Sequence, residues 1–365
     1  MSAAELLVGR EAELAEAGAA VRRLVEGRAG ALVIEGEAGI GKTHLVRSVV
    51  DDARSRGVTV LHGQAHPFER TRPFGVVVEA LDLRRRSPDP RRAAIGALLA
   101  GQGGGPTPPA AGDLQYRVVE EVVDLVESSC ARAPVLLVAE DLHWADAGSL
   151  LALSSMARRL PLSALLLVVT TRPSPVPAEV VRLIDDLSAG GARNLHLQPL
   201  EPHEVVALTS RTLGATPGPT LTALLAKAGG NPLWATAALR ALGDEGMLRR
   251  TGDCVEATTS ELPASLGDLV VRRLLDLPAP TLELLQVTAV LGDAVSVRDL
   301  AAVARRPPTE VAAGLTEAFD AHLLEEVDDR VVFRHQLVHD AIYRHLPVPA
   351  RRLLHREAAV ALMAA

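Results

Sequence analysis

The sequence predicts an α/β fold over its first 200 residues, a mainly parallel sheet of short buried strands alternating with helices. Helices dominate thereafter, and a two-stranded wing sits near the end. Three observations carry this reading. Apolar runs rich in branched residues recur at 31–36, 58–63, 134–141, 163–172 and 194–200, with helical apolar spacing between them, the signature of repeated strand–helix–strand units. A glycine-rich octet, GEAGIGKT, joins the first strand to the helix that follows it. After Pro199 the strand pattern gives way to helical spacing punctuated by Gly229, Gly230 and Pro232.

Each element follows from its local pattern. ALVIEG (31–36) is a branched apolar run ended by glycine and reads as a buried strand. Leu45, Val46, Val49 and Val50 then repeat at helical spacing. VTVLHG (58–63) is a second strand. The stretch up to about 112, with RRRSPDPRR (84–92) and GQGGGPTPPAAG (101–112), reads as an irregular surface excursion. A helix is expected over 113–131, a strand over 134–141, a helix over 146–160, a strand over 163–172, a helix over 177–189 and a strand over 194–200. Residues 201–243 read as all-helical, and 246–258 as a hairpin turning at Thr251-Gly252-Asp253. Amphipathic helices are expected at 266–276, 279–291 and 308–321, then a hairpin with Asp328 and Asp329 at its turn, then two closing helices. The expected domains are 1–200, a helical lid over 201–260, a winged-helix domain over 261–346, and the start of a possible helical-repeat region over 347–365.

Composition removes several classes of function. At 365 residues, 48% hydrophobic and 23% charged, the chain is ordinary for a globular protein. A net charge of -7 and 2% aromatic content argue against a dedicated nucleic-acid binder with a basic face and base-stacking platform. Cys130 and Cys254 form no paired motif, so a disulfide scaffold and a cysteine zinc site are not expected. No apolar run reaches the roughly 18 residues of a membrane span, and the N-terminus lacks the pattern of a signal peptide. A soluble cytoplasmic protein is expected.

Arginine is abundant, whereas lysine occurs only at Lys42 and Lys227. A compact point charge on a thin stem serves where a broad guanidinium does not, and Lys42 lies in such a place. Gly36, Glu37, Ala38, Gly39, Ile40, Gly41, Lys42 and Thr43 fit the pattern GxxxxGK[ST] between a predicted strand and a predicted helix that continues through His44. The glycines let the backbone turn N–H groups inward around phosphate oxygens, and the helix start adds partial positive charge. Lys42 suits the β- and γ-phosphates, and Thr43 offers a hydroxyl to Mg²⁺. VLLVAED brings Glu140 and Asp141 to the end of an apolar strand, where one suits the metal and the other the attacking water; the residue types leave the division open. Arg172 ends the fourth strand. If that strand lies between the phosphate-loop strand and the acidic strand, Arg172 reaches the γ-phosphate; otherwise it is a surface arginine. Neither lysine lies in an Asn-Lys-x-Asp segment, so ATP or ADP is expected in preference to GTP.

These motifs together resemble the STAND class of signal-transduction ATPases, and most closely the ATPase region of the large ATP-binding LuxR-type transcriptional regulators. The resemblance rests on LLVGREAEL (6–14), GEAGIGKT, LLVAEDLHWAD (136–146), LLLVVTTRP (165–173), LQPLEPHEV (197–205), GGNPL (229–233), LPASLGDLVVRRLLDLP (262–278) and FRHQLVHDAIY (333–343). It implies an AAA+/STAND-like P-loop NTPase with a helical lid and a winged helix. It also implies that Val8, Gly9 and Arg10 lie beside the adenine and ribose, that Arg172 is a sensor, that Pro232 packs on the adenine, and that His335 touches the ADP β-phosphate. Two departures stand out: Glu140 replaces the first of two aspartates, and Gln336 follows His335 where the class has aspartate.

The function expected is an ATP/ADP switch with slow hydrolysis, closed with ADP and opened by ATP for self-association in response to an unknown signal ligand or protein. A metabolic P-loop enzyme, such as a small-molecule kinase, is the alternative, and a stand-alone DNA-binding winged helix a second. Residues 307–321, the expected recognition helix, hold Glu310, Glu317 and Asp320 and no Lys or Arg, so phosphates would repel them. His335 and His339 lie four apart, but HQLVH has no Glu base and no third ligand, which disfavours zinc. Trp144 and Trp234 are placed beside the nucleotide or in plain core. RRRSPDPRR reads as a solvated loop, with an acidic partner as the other reading.

Overall fold

A computed structural model describes residues 7–66, 72–100, 111–159, 163–173, 176–261, 277–292, 294–321 and 323–364, together with 263, 265–266, 270 and 274. Most of the helix expected at 266–276, and the segment 101–110, lie outside the described residues. The chain divides into two units, one of Met1–Glu37 and Gly41–Gln198, the other of Ala38–Ile40 and Pro199–Ala365.

The first unit is built on β1 (Gly30–Gly36), β2 (Thr59–Gln64), β3 (Val135–Glu140), β4 (Leu165–Thr171) and β5 (Arg193–Leu197). All pairings are parallel, in the order β2-β3-β4-β1-β5. Every residue of β3 and β4 is buried, as expected for parallel strands covered on both faces. One face, with Val33, Leu137, Leu167 and Val169, packs on Val122 and Val126 of α5 (Ala111–Cys130), Leu153 of α6 (Ala147–Arg159) and Leu183 of α7 (Ala178–Ala189). On the strands' other side Leu32, Ile34, Leu136 and Leu166 are equally buried, and α1 (Glu11–Val25) and α2 (Lys42–Ser55) pack on the strands. The strand order seats β4 between β1 and β3, the condition under which Arg172 was expected to matter.

One stretch departs from expectation. The excursion read as irregular contains α3 (Gly75–Leu81) and α4 (Pro90–Leu99). Asp89 caps α4 by accepting from the backbone N–H groups of Arg91 and Arg92, and Pro90 fills its first turn. Ile95 is buried beneath the helix, and α4 packs on α5. Five arginines and two prolines in RRRSPDPRR conceal this short apolar stripe, so part of the expected loop is the start of a helix.

The second unit begins with α8 (Pro202–Leu213), whose start carries a reciprocal cap between Glu201 and Glu204. The strand β6 (Thr216–Pro217), absent from the all-helical expectation, precedes α9 (Pro219–Ala226) and α10 (Pro232–Asp244). β7 (Leu248–Thr251) and β8 (Cys254–Ala257) form the expected hairpin, and β6 adds to β8. Next come α11 (Ala279–Leu291), β9 (Ala294–Ser296), α12 (Val297–Ala304), α13 (Pro308–Asp320), β10 (Leu324–Val327), β11 (Arg330–Phe333), α14 (Gln336–His345) and α15 (Val348–Ala364). β10 and β11 form an antiparallel hairpin with positive φ at Asp328 and Asp329, and β9 pairs with β11.

The two parts of this unit meet at Lys227. Its Nζ donates to Asp340 Oδ2 at 2.8 Å, and its carbonyl accepts from the N–H of Leu337. Burial alone would push the Asp340 carboxyl up, but hydrogen bonds to His339, Lys227 and Gln336 and the Lys227 charge outweigh it, holding the carboxyl well below the usual carboxylate range. A carboxylate depressed in the folded state stabilises above its unfolded value, near ~3.9. That contribution fades as pH falls through the folded value. Asp340→Asn should therefore cost about 1–3 kcal/mol at pH 7, with the gap from wild type closing below pH ~4; thermal unfolding across a pH series measures this.

Candidate nucleotide site

The candidate site lies at the carboxyl ends of β1, β3 and β4, where open α/β sheets place ligands. α2 begins at Lys42 because Gly41, with φ 113°, turns the chain through a conformation that side chains resist. A Cβ on Gly41 would meet nothing within 4 Å among the described residues. Lys42 is buried, and its Nζ donates to the carbonyls of Gly36 at 2.6 Å and Glu37 at 2.9 Å. Burial pulls its pKa down from 10.5 to about 8, against the charges of Asp141, Glu140 and Glu37 and with that of Arg172. His44 follows on the exposed side of α2's first turn.

Thr43 Oγ1 donates to Glu140 Oε2 at 2.8 Å, tying α2 to the end of β3. The other oxygen, Oε1, lies 2.8 Å from His62 Nε2 on β2. Burial raises the Glu140 pKa, but the His62 and Thr43 hydrogen bonds, with the charges of His62 and Arg47, outweigh it and hold the carboxyl below its ordinary value. Asp141 has φ 58°, donates its N–H to Thr170 Oγ1 at 2.8 Å, and accepts from Gln64 Nε2 at 2.9 Å. The two acids therefore sit in different environments, one on Thr43 and His62, the other on Gln64. Arg172 lies with its guanidinium 5.8 Å from the centre of the Trp144 ring. Burial lowers its pKa while Asp141 opposes the shift. Thr171 Oγ1, one residue earlier, is buried without a hydrogen-bond partner among the described residues.

The remaining expected residues fall as follows. Val8 is buried, Gly9 has φ 68°, and the Arg10 guanidinium donates to the carbonyl of Gln198 and pairs with Glu13. Within the second unit, Asn231 Nδ2 donates to the carbonyl of Ala38 at 3.0 Å and the N–H of Leu233 to that of Gly39 at 3.3 Å. Ile40 is buried. A Cβ on Gly39, where φ is 80°, would come within 2.5 Å of Leu233 Cδ2, so only glycine fits. Pro232 opens α10, capped by Asn231. His335 is buried at the start of α14, behind Gly229. Trp234 is buried.

Sequence reasoning missed His62, Gln64 and Asn231. His62 and Gln64 are two residues apart at the end of a strand, hence on one face, and the expected strand stopped one residue short of Gln64. The LHWAD string (142–146) has a structural account. Asp146 accepts from the N–H groups of Phe74, Gly75 and Ser149 and from Ser149 Oγ. It thereby holds Phe74 at φ 62°, a costly conformation for an aromatic residue, and sets the start of α3.

Residues 6–169 match the family model described as AAA ATPase domain. This part of the chain has the fold of a P-loop AAA+ ATPase. The uncharacterized protein R02095 of Rhizobium meliloti (strain 1021) is 28% identical over 224 residues, 54% of this chain and 21% of that protein. The chain thus spans about a fifth of that relative's length. Among solved structures, the Aeropyrum pernix ORC1 protein in complex with DNA matches with a TM-score of 0.54 at 18% identity, over 95% of this chain and 94% of that one. The Aeropyrum pernix ORC2 protein in its ADPNP-ADP complexes matches with a TM-score of 0.54 at 15% identity, over 98% and 95%. At these identities the likeness is one of fold.

The AAA domain depends on Asp146 for its local geometry. Asp146→Ala leaves buried N–H groups unpaired and should cost about 2–4 kcal/mol, read as a lower urea midpoint than wild type.

Proposed function

We propose that this chain is an ATP/ADP-binding switch with slow hydrolysis, acting in a signal-responsive transcriptional regulator. One observation carries the reading: Lys42, Thr43, Glu140, Asp141 and Arg172 converge at the carboxyl end of one parallel sheet, within mutual electrostatic reach. The residues fit a Mg-nucleotide. Burial depresses the Lys42 pKa despite the carboxylates nearby, and bound phosphate would raise it again. Among the described residues, nothing crowds the turn at Gly41 and the buried Thr171 hydroxyl has no hydrogen-bond partner.

In this reading Lys42 and the loop N–H groups hold the β- and γ-phosphates. Thr43 and Glu140 hold Mg²⁺, because those two side chains already touch. The cation would neutralise charge between the phosphates. Asp141, held from Gln64, orients the attacking water, and Arg172 senses the γ-phosphate from β4. Val8, Gly9 and Arg10 take the adenine and ribose, Pro232 packs on the adenine, and His335 meets the ADP β-phosphate. That the ORC2 protein of Aeropyrum pernix was solved with ADPNP and ADP supports an adenine nucleotide. The order α11, β9, α12, α13, β10, β11 supports reading this part as a winged helix. ADP would hold the helical lid and winged helix shut, and ATP would free a surface for self-association.

The Aeropyrum pernix ORC1 protein is seen in complex with DNA, but here α13 carries Glu310, Glu317 and Asp320 and no basic residue. The role proposed for this segment is a regulatory one without direct DNA contact. A metabolic kinase would need an acceptor base beyond Glu140 and Asp141, and His62, beside Glu140, is engaged with that carboxylate.

Lys42→Ala removes the cation and should weaken ATP and ADP binding by at least about 100-fold, the value of roughly 3 kcal/mol for charge-assisted phosphate contacts. Calorimetric titration of folded variant and wild type measures this; equal affinities would refute the assignment.

A further inference from the structure

The nucleotide-site reading leaves one question open: how a glutamate serves at the end of β3 when its longer side chain is harder to fix than an aspartate. We infer that His62 is a positioning residue that clamps Glu140 for the divalent cation. This inference rests on the nucleotide-site reading above.

The two strands are in register with Gln64 opposite Glu140, and His62 lies two residues earlier on the same face of β2. Glu140 has one oxygen on Thr43 Oγ1 and the other on His62 Nε2, each at 2.8 Å. An ionised carboxylate only accepts, so His62 Nε2 is the donor in the second contact. The Glu140 side chain is 3% exposed, whereas that of His62 is 36% exposed. The ring therefore stands between the buried carboxylate and solvent. With one oxygen tied, the glutamate side chain would keep torsional freedom; with both tied, its plane is fixed. Groups that hydrogen-bond to a ligating side chain orient it in this manner, and their loss weakens metal affinity by roughly 10–100-fold. Gln64, adjacent on the same face, takes Asp141 instead. The edge strand thereby assigns the two acids to separate partners, and Glu140 is the one joined to Thr43.

The test is a double-mutant cycle on the full chain, with ADP affinity titrated as a function of Mg²⁺ concentration. In His62→Ala, ADP affinity without Mg²⁺ should stay within about twofold of wild type, while the half-saturating Mg²⁺ concentration rises roughly 10–100-fold. His62→Gln retains a donor and should recover part of the loss. Glu140→Asp shortens the side chain by one methylene and takes it out of reach of His62. Adding His62→Ala to Glu140→Asp should therefore change nothing further. The clamp is overturned if folded His62→Ala and His62→Gln, checked by their melting temperatures, keep the wild-type Mg²⁺ dependence. It is also overturned if the His62→Ala effect is as large in the Glu140→Asp background as in the wild-type one. A wild-type protein that binds no ADP, or binds it without regard to Mg²⁺, overturns the site reading itself, and the clamp with it.

Discussion

Lys42 is buried against two carbonyls of the turn that precedes it, and the rest of the site depends on that placement. Burying an ammonium costs free energy unless oxygens surround it. The Gly36 and Glu37 carbonyls supply two, and the nearby carboxylates add a favourable field. The pKa still drops to about 8, so this compensation is incomplete. An anion arriving at the turn would complete it, which is why the loop reads as a binding device rather than a strand–helix connection.

Sheet order turns this local feature into a site. β4 runs between β1 and β3, so its last residues separate the loop from the acidic pair. Thr170 accepts the N–H of Asp141 and holds it in its left-handed conformation. Thr43 joins the helix after the loop to Glu140. Arg172, beside Trp144 and in the field of Asp141, is the second cation of the group. The edge strand β2 contributes His62 and Gln64, one to each acid.

Much of this is legible in the sequence where one residue type has few substitutes. GEAGIGKT requires glycine at tight turns and lysine on a thin stem, and the apolar runs of β3 and β4 admit only a covered parallel strand. The two hairpins were legible from their turn residues. Less was legible where contacts are made across the fold. His62 and Gln64 look like ordinary polar residues at a strand end until pairing brings β2 beside β3. Lys227 is as rare as Lys42, but its partner Asp340 lies 113 positions away, and no local pattern joins them. α4 was obscured because charge and proline outweigh its short apolar stripe. The partition of Glu140 from Asp141 also depends on β2, which is why the residue types alone left it open.

The chain has two lysines, Lys42 and Lys227, so lysine-selective isotope labelling turns the central claim into a spectrum of two side chains. On titration with ADP and Mg²⁺, the lysine signal that is missing in Lys42→Arg should shift and saturate, while the Lys227 signal keeps its Asp340-bound position or moves far less. A Lys42 signal that stays still while nucleotide binds, or moves only with Lys227 and without saturation, would contradict the claim that this turn grips phosphate.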